Sequence, residues 1–245
     1  MKAIVLCAGF GTRLEKDLQN DSSGQYKHLI GVPKPLLPIG NEPLITHWAR
    51  TTRDVPDVDT VYVVTNAANN DKFVTWSKCW PKVKVVSDGA DNNETRSGAV
   101  ACIQLAVSDF SNEDDVLIIA GDTLFYDDFH LPSYINKFND FKLKDPDANM
   151  LLYVTCLDEE VHKYGILETD MKGRVMGFLE KPQPEETTSR KEDQPLKERD
   201  ATGMFIAYLY KRWPVYAVEI SGRFDVGGLE TYLKCCDYFA DRKTS

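Results

Sequence analysis

The feature that most constrains this chain is an apolar run near its beginning that leads into a glycine-rich turn. Residues 3–7 suit a buried strand, and Gly9 and Gly11 follow directly. Two glycines let the backbone turn tightly and bring its N–H groups close to an anion. Arg13 adds a planar cation suited to phosphate, and Lys34 lies between two prolines further along. The pattern predicts a strand whose C-terminal end meets a polyphosphate.

Two familiar nucleotide motifs do not fit this turn. Leu14 occupies the place where a dinucleotide-binding fingerprint has its third glycine. No Gly-Lys-Ser/Thr follows either, which excludes a Walker loop. An ordinary strand–turn–helix without a ligand remains the alternative for Gly-x-Gly alone. Arg13 and Lys34 favour phosphate binding.

Composition excludes several classes of partner. The chain has 245 residues, of which 42% are hydrophobic and 27% charged, as in ordinary globular proteins. Its net charge of −9 argues against nucleic acid or an anionic membrane as partner. No apolar stretch is long enough to span a bilayer, and no signal peptide precedes the first strand. The six cysteines form no spaced pair typical of zinc sites. A cytoplasmic protein is expected, and a homo-oligomer is left open.

Strands alternate with helices over the first part of the chain. The predicted strands cover residues 3–7, 60–64, 83–86 and 116–120, and the helices lie near 44–53, 72–80 and 97–108. This alternation predicts an α/β fold with a mostly parallel sheet and helices on both faces. Ligands of such sheets bind at the carboxyl ends of the strands.

The pattern changes after Phe129. A helix over 132–142 precedes short strands at 149–156, 165–169, 175–179, 204–210 and 215–220, which predict a small mixed β extension. Exposed loops are expected at 15–27 and 183–200, and a last amphipathic helix at 229–239.

Two aspartates follow apolar segments and are candidate metal ligands. Asp122 comes after Gly121 at the end of strand 116–120, and Asp225 precedes the last helix. Magnesium prefers one or two carboxylates together with phosphate oxygens and waters. The alternatives are a turn-capping role for Asp122 and an N-cap for Asp225.

A second group of polar residues suggests a site for a phosphorylated sugar. Glu180 could bind a sugar hydroxyl and Lys181 a phosphate, although a Glu-Lys-Pro turn is also common on surfaces. Tyr164-Gly165 and Thr202-Gly203 lie where strands are expected to begin. Glycine there permits close approach of a ring, or merely relieves crowding.

Together these motifs resemble the nucleoside-diphosphate-sugar pyrophosphorylases, also called sugar-1-phosphate nucleotidyltransferases, which have a Rossmann-like core. The matches run in order over nearly the whole chain: residues 9–14, 33–38, 121–122, 164–165, 180–182, 202–203 and 225–227. The resemblance implies one nucleotidyltransferase domain over 1–245, with a nucleotide-binding half at 1–130 and a sugar-phosphate-binding half at 131–245. The C-terminal β-helix domain of many relatives is not expected in this sequence.

The resemblance also implies roles for individual residues. The NTP is expected to contact Ala8, Gly9, Gly11, Thr12, Arg13, Gly98 and Gly121. The sugar phosphate is expected to contact Tyr164, Gly165, Glu180, Lys181 and Thr202. Catalysis is assigned to Arg13, Lys34 and Lys181, and Mg²⁺ to Asp122 and Asp225.

The implied reaction joins an NTP and a sugar-1-phosphate to give an NDP-sugar and pyrophosphate. Two alternatives stay open at this point. One is a CTP-dependent transferase for another phosphorylated alcohol, such as phosphocholine. The other is a non-catalytic nucleotide-sensing homologue, because only a short segment separates Tyr210 from Asp225.

Overall fold

The computed structural model describes residues 1–111, 113–182 and 202–240. The predicted loop at 183–200 therefore lies outside the described residues. The chain divides into two compact units, of which unit 1 comprises Met1–Tyr126 and the chain from Arg223 onward, and unit 2 comprises Asp127–Gly222. A division at residue 130 assigns the segment after Arg223 to the second half, whereas in the structure it packs with the first unit.

Twelve strands are formed within the described ranges. They are β1 (Lys2–Cys7), β2 (Pro38–Ile39), β3 (Glu42–Pro43), β4 (Thr60–Thr65), β5 (Val83–Ser87), β6 (Val116–Ala120), β7 (Thr123–Phe125), β8 (Asn149–Tyr153), β9 (Gly165–Thr169), β10 (Val175–Glu180), β11 (Val215–Glu219) and β12 (Arg223–Asp225).

Seven α-helices are formed within the same ranges. They are α1 (Thr12–Asn20), α2 (Leu44–Arg53), α3 (Asn70–Ser77), α4 (Ala99–Val107), α5 (Leu131–Lys144), α6 (Thr202–Leu209) and α7 (Leu229–Ala240). None of the described helices is both long enough and apolar enough to cross a lipid bilayer.

Unit 1 is built on a parallel sheet with the strand order β5-β4-β1-β6. Residues 3–5 of β1 are completely buried in succession, which requires cover on both faces of the sheet. Ile4, Tyr62 and Val64 form a buried cluster with Cys102 of α4 on one of these faces. The predicted α/β fold with a central parallel sheet is confirmed.

Unit 1 also contains two antiparallel pairs, β7 with β12 and β2 with β3. Unit 2 contains an antiparallel pair, β9 with β10, and a parallel pair, β8 with β11. The two kinds of pairing in unit 2 agree with the predicted mixed β extension.

Two local predictions are wrong. The expected loop at 15–27 begins inside α1, because Leu14 and Leu18 recur at helical spacing and are both buried. The expected strand at 204–210 is helix α6, so Thr202 and Gly203 begin a helix and not a strand. A short apolar run fits either structure, and the periodicity of the sequence does not distinguish them.

Candidate active site

The glycine-rich turn follows β1 as the sequence predicts, and it leads into α1, which the sequence did not predict. Gly11 precedes α1 with φ of 65°, a conformation that suits glycine, and no side chain caps the helix. Thr12 and Arg13, both exposed, begin the helix, and Gly9 is exposed in the turn. Because the first N–H groups of a helix have no partner within it, this end of α1 can receive an anion.

Lys34 lies against this turn. A Cβ atom at Gly11 would stand 3.5 Å from Cγ of Lys34, an ordinary contact distance, so it is the positive φ and not crowding that favours glycine there. Lys34 begins a short 3₁₀ turn and is flanked by Pro33 and Pro35, which are both buried. The prolines restrict the backbone that carries Lys34.

Lys34 and Asp122 form an ion pair. The distance from Nζ of Lys34 to Oδ2 of Asp122 is 3.4 Å, and the exposed fractions of the two side chains are 17% and 36%. A cation from the proline-flanked segment and a carboxylate from the end of β6 therefore meet beside the glycine-rich turn.

Gly121 lets the end of β6 approach β1 closely. Its N–H donates to the carbonyl oxygen of Leu6 at 3.0 Å, and a Cβ here would lie 2.6 Å from Sγ of Cys7. Any larger residue would push the two strands apart. The position of Asp122, the next residue, depends on this contact.

Asp225 belongs to the same site. It pairs with Thr123 across β12 and β7, and the N–H of Val226 donates to the carbonyl oxygen of Asp122 at 2.8 Å. Desolvation by the surrounding protein raises the pKa of Asp225, and the like charge of Asp122 raises it further. The cations Arg223, Lys34 and Arg13 oppose this shift.

The chemistry of these groups fits a magnesium ion. Asp122 and Asp225 repel each other electrostatically, and a divalent cation between them would relieve that repulsion. No group of three or more His, Cys, Asp or Glu side chains in the described ranges could hold a metal. Two carboxylates with phosphate oxygens and waters nevertheless form a common magnesium environment.

Asn66 is a residue of this site that the sequence assignments missed. It is completely buried at the end of β4, where its Nδ2 donates to the carbonyl oxygen of Ala8 at 3.0 Å. Its Oδ1 accepts from the N–H of Asn69 at 2.9 Å. Asn66 thus fixes the chain just before the glycine-rich turn. Its place just after the apolar run 60–64, at the carboxyl end of an expected strand, was the available signal in the sequence.

Gly98 lies at the N-terminus of α4, in the same unit. Its φ of 82° is a conformation that favours glycine, and its carbonyl oxygen accepts from the N–H of Cys102. The preceding residues 91–97 are exposed. The predicted contact between Gly98 and a base stays a prediction.

In unit 2, two glycines make room around Glu180 and Phe178. A Cβ at Gly165 would lie 2.5 Å from Cζ of Phe178, and one at Gly203 would lie 2.9 Å from the same atom. The Cβ at Gly203 would also collide with the Glu180 carboxylate. Glycine at these positions therefore allows β9 and α6 to close on the end of β10.

Lys181 follows Glu180 with an unusual backbone. Its φ of 48° makes it the one non-glycine residue with positive φ in the described chain, a conformation that costs energy and recurs at functional sites. Its N–H donates to the carbonyl oxygen of Tyr164 at 3.0 Å, and its Nζ lies 3.9 Å from Glu180. Thr202 is the first residue of α6, and its side chain lies outside the described part of the structure.

The predicted residues thus form two groups. Unit 1 brings together the glycine-rich turn, Arg13, Lys34, Asp122 and Asp225. Unit 2 brings together Tyr164, Gly165, Glu180 and Lys181. The assignment of these groups to nucleotide and sugar phosphate stays a prediction.

Comparison with known sequences identifies the family of this chain. The profile of the family described as Nucleotidyl transferase matches residues 2–212. A relative named Bifunctional protein GlmU from Methanocaldococcus jannaschii is 26% identical over 185 residues, which cover 75% of this chain and 36% of that protein. A protein of the same name from Methanococcus maripaludis is 26% identical over 190 residues, covering 77% and 38%. The chain thus spans well under half the length of these curated relatives.

Two solved structures share the fold. A putative glucose-1-phosphate thymidylyltransferase from Bacillus anthracis, in complex with a sucrose, superposes with a TM-score of 0.73 at 19% identity, covering 98% of this chain and 96% of that one. The CTP:phosphocholine cytidylyltransferase LicC from Streptococcus pneumoniae gives a TM-score of 0.64 at 16% identity, covering 96% and 97%.

Proposed function

The chain belongs to the Nucleotidyl transferase family, and on that premise we propose that it joins an NTP and a sugar-1-phosphate to give an NDP-sugar and pyrophosphate. The observation that carries the proposal is the group at the end of β6. There Nζ of Lys34 lies 3.4 Å from Asp122 beside the glycine-rich turn, and Asp225 pairs with Thr123, the residue after Asp122.

The reaction is a single displacement at phosphorus. An oxygen of the acceptor phosphate attacks the α-phosphorus of the NTP, and a new P–O bond forms. The bond to the bridging oxygen breaks, and pyrophosphate leaves with that electron pair. The acceptor phosphate is already ionised, so the enzyme needs neither a general base nor a covalent intermediate. Catalysis then depends on positioning and on charge stabilisation.

The residues of unit 1 suit the nucleotide part of this task. The uncapped start of α1 would receive the triphosphate, and Arg13 and Lys34 would balance its charge. Asp122 and Asp225 would hold Mg²⁺, which when bound neutralises phosphate charge and polarises the P–O bonds.

The residues of unit 2 suit the acceptor. Glu180 would accept hydrogen bonds from sugar hydroxyls, because its side chain is 26% exposed and its carboxylate oxygens are acceptors. Lys181 follows Glu180 directly, and its side chain is 61% exposed, so its ammonium group would be available to the acceptor phosphate.

A panel of substrates tests the proposal. The purified protein, with Mg²⁺, is mixed with each common NTP and a set of sugar-1-phosphates, and pyrophosphate release is measured. Release with an NTP and a sugar-1-phosphate supports the proposal. Release only with CTP and phosphocholine would support the cytidylyltransferase alternative. Binding of an NTP without any release would support a nucleotide sensor.

A further inference from the structure

Helix α1 carries two carboxylates that bind two different loops of unit 1. Glu15 accepts from the N–H of Gly31 at 3.1 Å, and Asp17 accepts from the N–H of Leu229 at 3.1 Å. The two residues are two positions apart on the helix and so point to different sides. One loop leads to Lys34, and the other follows Asp225.

Gly31 is held from both sides. Besides the bond from its N–H to Glu15, its carbonyl oxygen accepts from Nζ of Lys72 at 2.8 Å. Lys72 also donates to Oδ1 of Asn69 at 2.9 Å, and Asn69 is bound to Asn66. The segment before Lys34 is thus connected through side chains both to α1 and to the end of β4.

The loop after Asp225 lies close to side chains of α1 at two glycines. A Cβ at Gly227 would lie 3.4 Å from a guanidinium nitrogen of Arg13, and one at Gly228 would lie 2.7 Å from Oδ2 of Asp17. The Asp17 carboxylate also lies at the N-terminus of α7, where a negative charge is stabilising. A side chain at Gly228 would displace the Asp17 carboxylate.

We propose that Glu15 and Asp17 are positioning residues, through which α1 holds Lys34 and Asp225 at fixed places beside the glycine-rich turn. The inference rests on the proposed function, because that function assigns Lys34 and Asp225 to the reaction. Glu15 acts on the lysine side and Asp17 on the aspartate side. Neither residue is assigned a contact with substrate.

The test uses paired variants of each residue in the full chain. Glu15→Ala and Asp17→Ala remove the acceptor oxygen, whereas Glu15→Gln and Asp17→Asn keep one. Lys16→Ala is the matched control, because Lys16 lies between them on α1 and is exposed. Three quantities are measured: backbone amide exchange by mass spectrometry, binding of Mn²⁺ alone by electron paramagnetic resonance, and pyrophosphate release.

Each alanine variant has its own expected result. Asp17→Ala speeds amide exchange in peptides covering 225–230 and weakens Mn²⁺ binding about 10-fold, the scale seen when groups supporting metal ligands are lost. Glu15→Ala speeds exchange in peptides covering 29–34 and lowers kcat, with Mn²⁺ affinity close to that of the control. The amide variants recover most of each loss.

Other results would overturn the inference. The inference is wrong if the alanine variants match Lys16→Ala in Mn²⁺ affinity and kcat. It is also wrong if the wild-type protein binds no Mn²⁺. Equal losses in both alanine variants, without recovery in the amide variants, would indicate a general effect on stability. Wild-type protein that binds Mn²⁺ but releases no pyrophosphate would instead refute the proposed function and leave the positioning role standing on exchange and metal affinity.

Discussion

Replacing Lys34 by methionine should separate its part in the reaction from its part in stability. Coulomb's law with an effective dielectric constant of about 20 gives about 5 kcal/mol for unit charges at the 3.4 Å between Lys34 and Asp122. Desolvation of both groups and the 36% exposure of Asp122 offset most of that energy. We expect a net loss of about 1 kcal/mol in the free energy of unfolding. This corresponds to a decrease of about 2–4 °C in Tm.

The effect on the reaction should be much larger. A cation that balances charge developing in the transition state contributes about 2.7–4 kcal/mol, by analogy with a single lost oxyanion donor. Pyrophosphate release by Lys34→Met should therefore fall about 100- to 1000-fold. Methionine keeps most of the length of the side chain and removes the charge.

Lys82 offers the matched control. It is another partly buried lysine of unit 1, and its Nζ donates to the carbonyl oxygens of Thr52, Val55 and Val58 at 3.4, 3.1 and 2.7 Å. The first two carbonyls also accept backbone bonds, so Lys82→Met should cost about 2 kcal/mol of stability. Its activity at a temperature well below Tm should be close to wild type. Pyrophosphate release by Lys34→Met within about 10-fold of wild type would refute the catalytic assignment.

Two further predictions concern single residues. Asp225→Asn should raise Tm at neutral pH in the presence of a chelator. The pKa of Asp225 is raised in the folded protein, so the folded protein loses stability as pH rises and this carboxylate ionises beside Asp122. Asparagine cannot ionise and avoids that loss. The gain should vanish below the ordinary aspartate pKa of about 3.9, and a thermal melt series against pH checks both statements. Gly203→Ala should raise KM for the acceptor and leave KM for the NTP unchanged, because its Cβ would displace the Glu180 carboxylate, and steady-state kinetics with each substrate varied decide this. An equal rise in both values would contradict the assignment of Glu180 to the acceptor.

The sequence predicted the central sheet well because its strands are short apolar runs bounded by turn residues. The expected strand at 116–120 coincides with β6, and the expected strand at 3–7 differs from β1 by one residue. Helix α1 was missed because most of its residues after Arg13 are polar and only Leu14 and Leu18 are buried. Helix α6 was missed because its apolar and aromatic residues also suit a strand.

Some features of the candidate site could likewise be predicted from the sequence, and others could not. Residues with evident chemistry, such as Lys34 and Asp122, could be identified from motifs, and the structure places them in contact. The bond between Asp17 and Leu229 joins positions 212 residues apart. No local pattern indicates such a contact, because it depends on how α7 returns to α1.

Unit 1 consists of two segments that are separated in the sequence by unit 2, so its parts are synthesised at different times. Strand β7 pairs with β12, and the stretch between them contains the whole of unit 2, Asp127–Gly222. At ordinary rates of translation, β7 leaves the ribosome roughly 5–20 seconds before its partner strand. During that interval Asp122 has been synthesised and Asp225 has not, so the carboxylate pair cannot form until unit 2 has been synthesised.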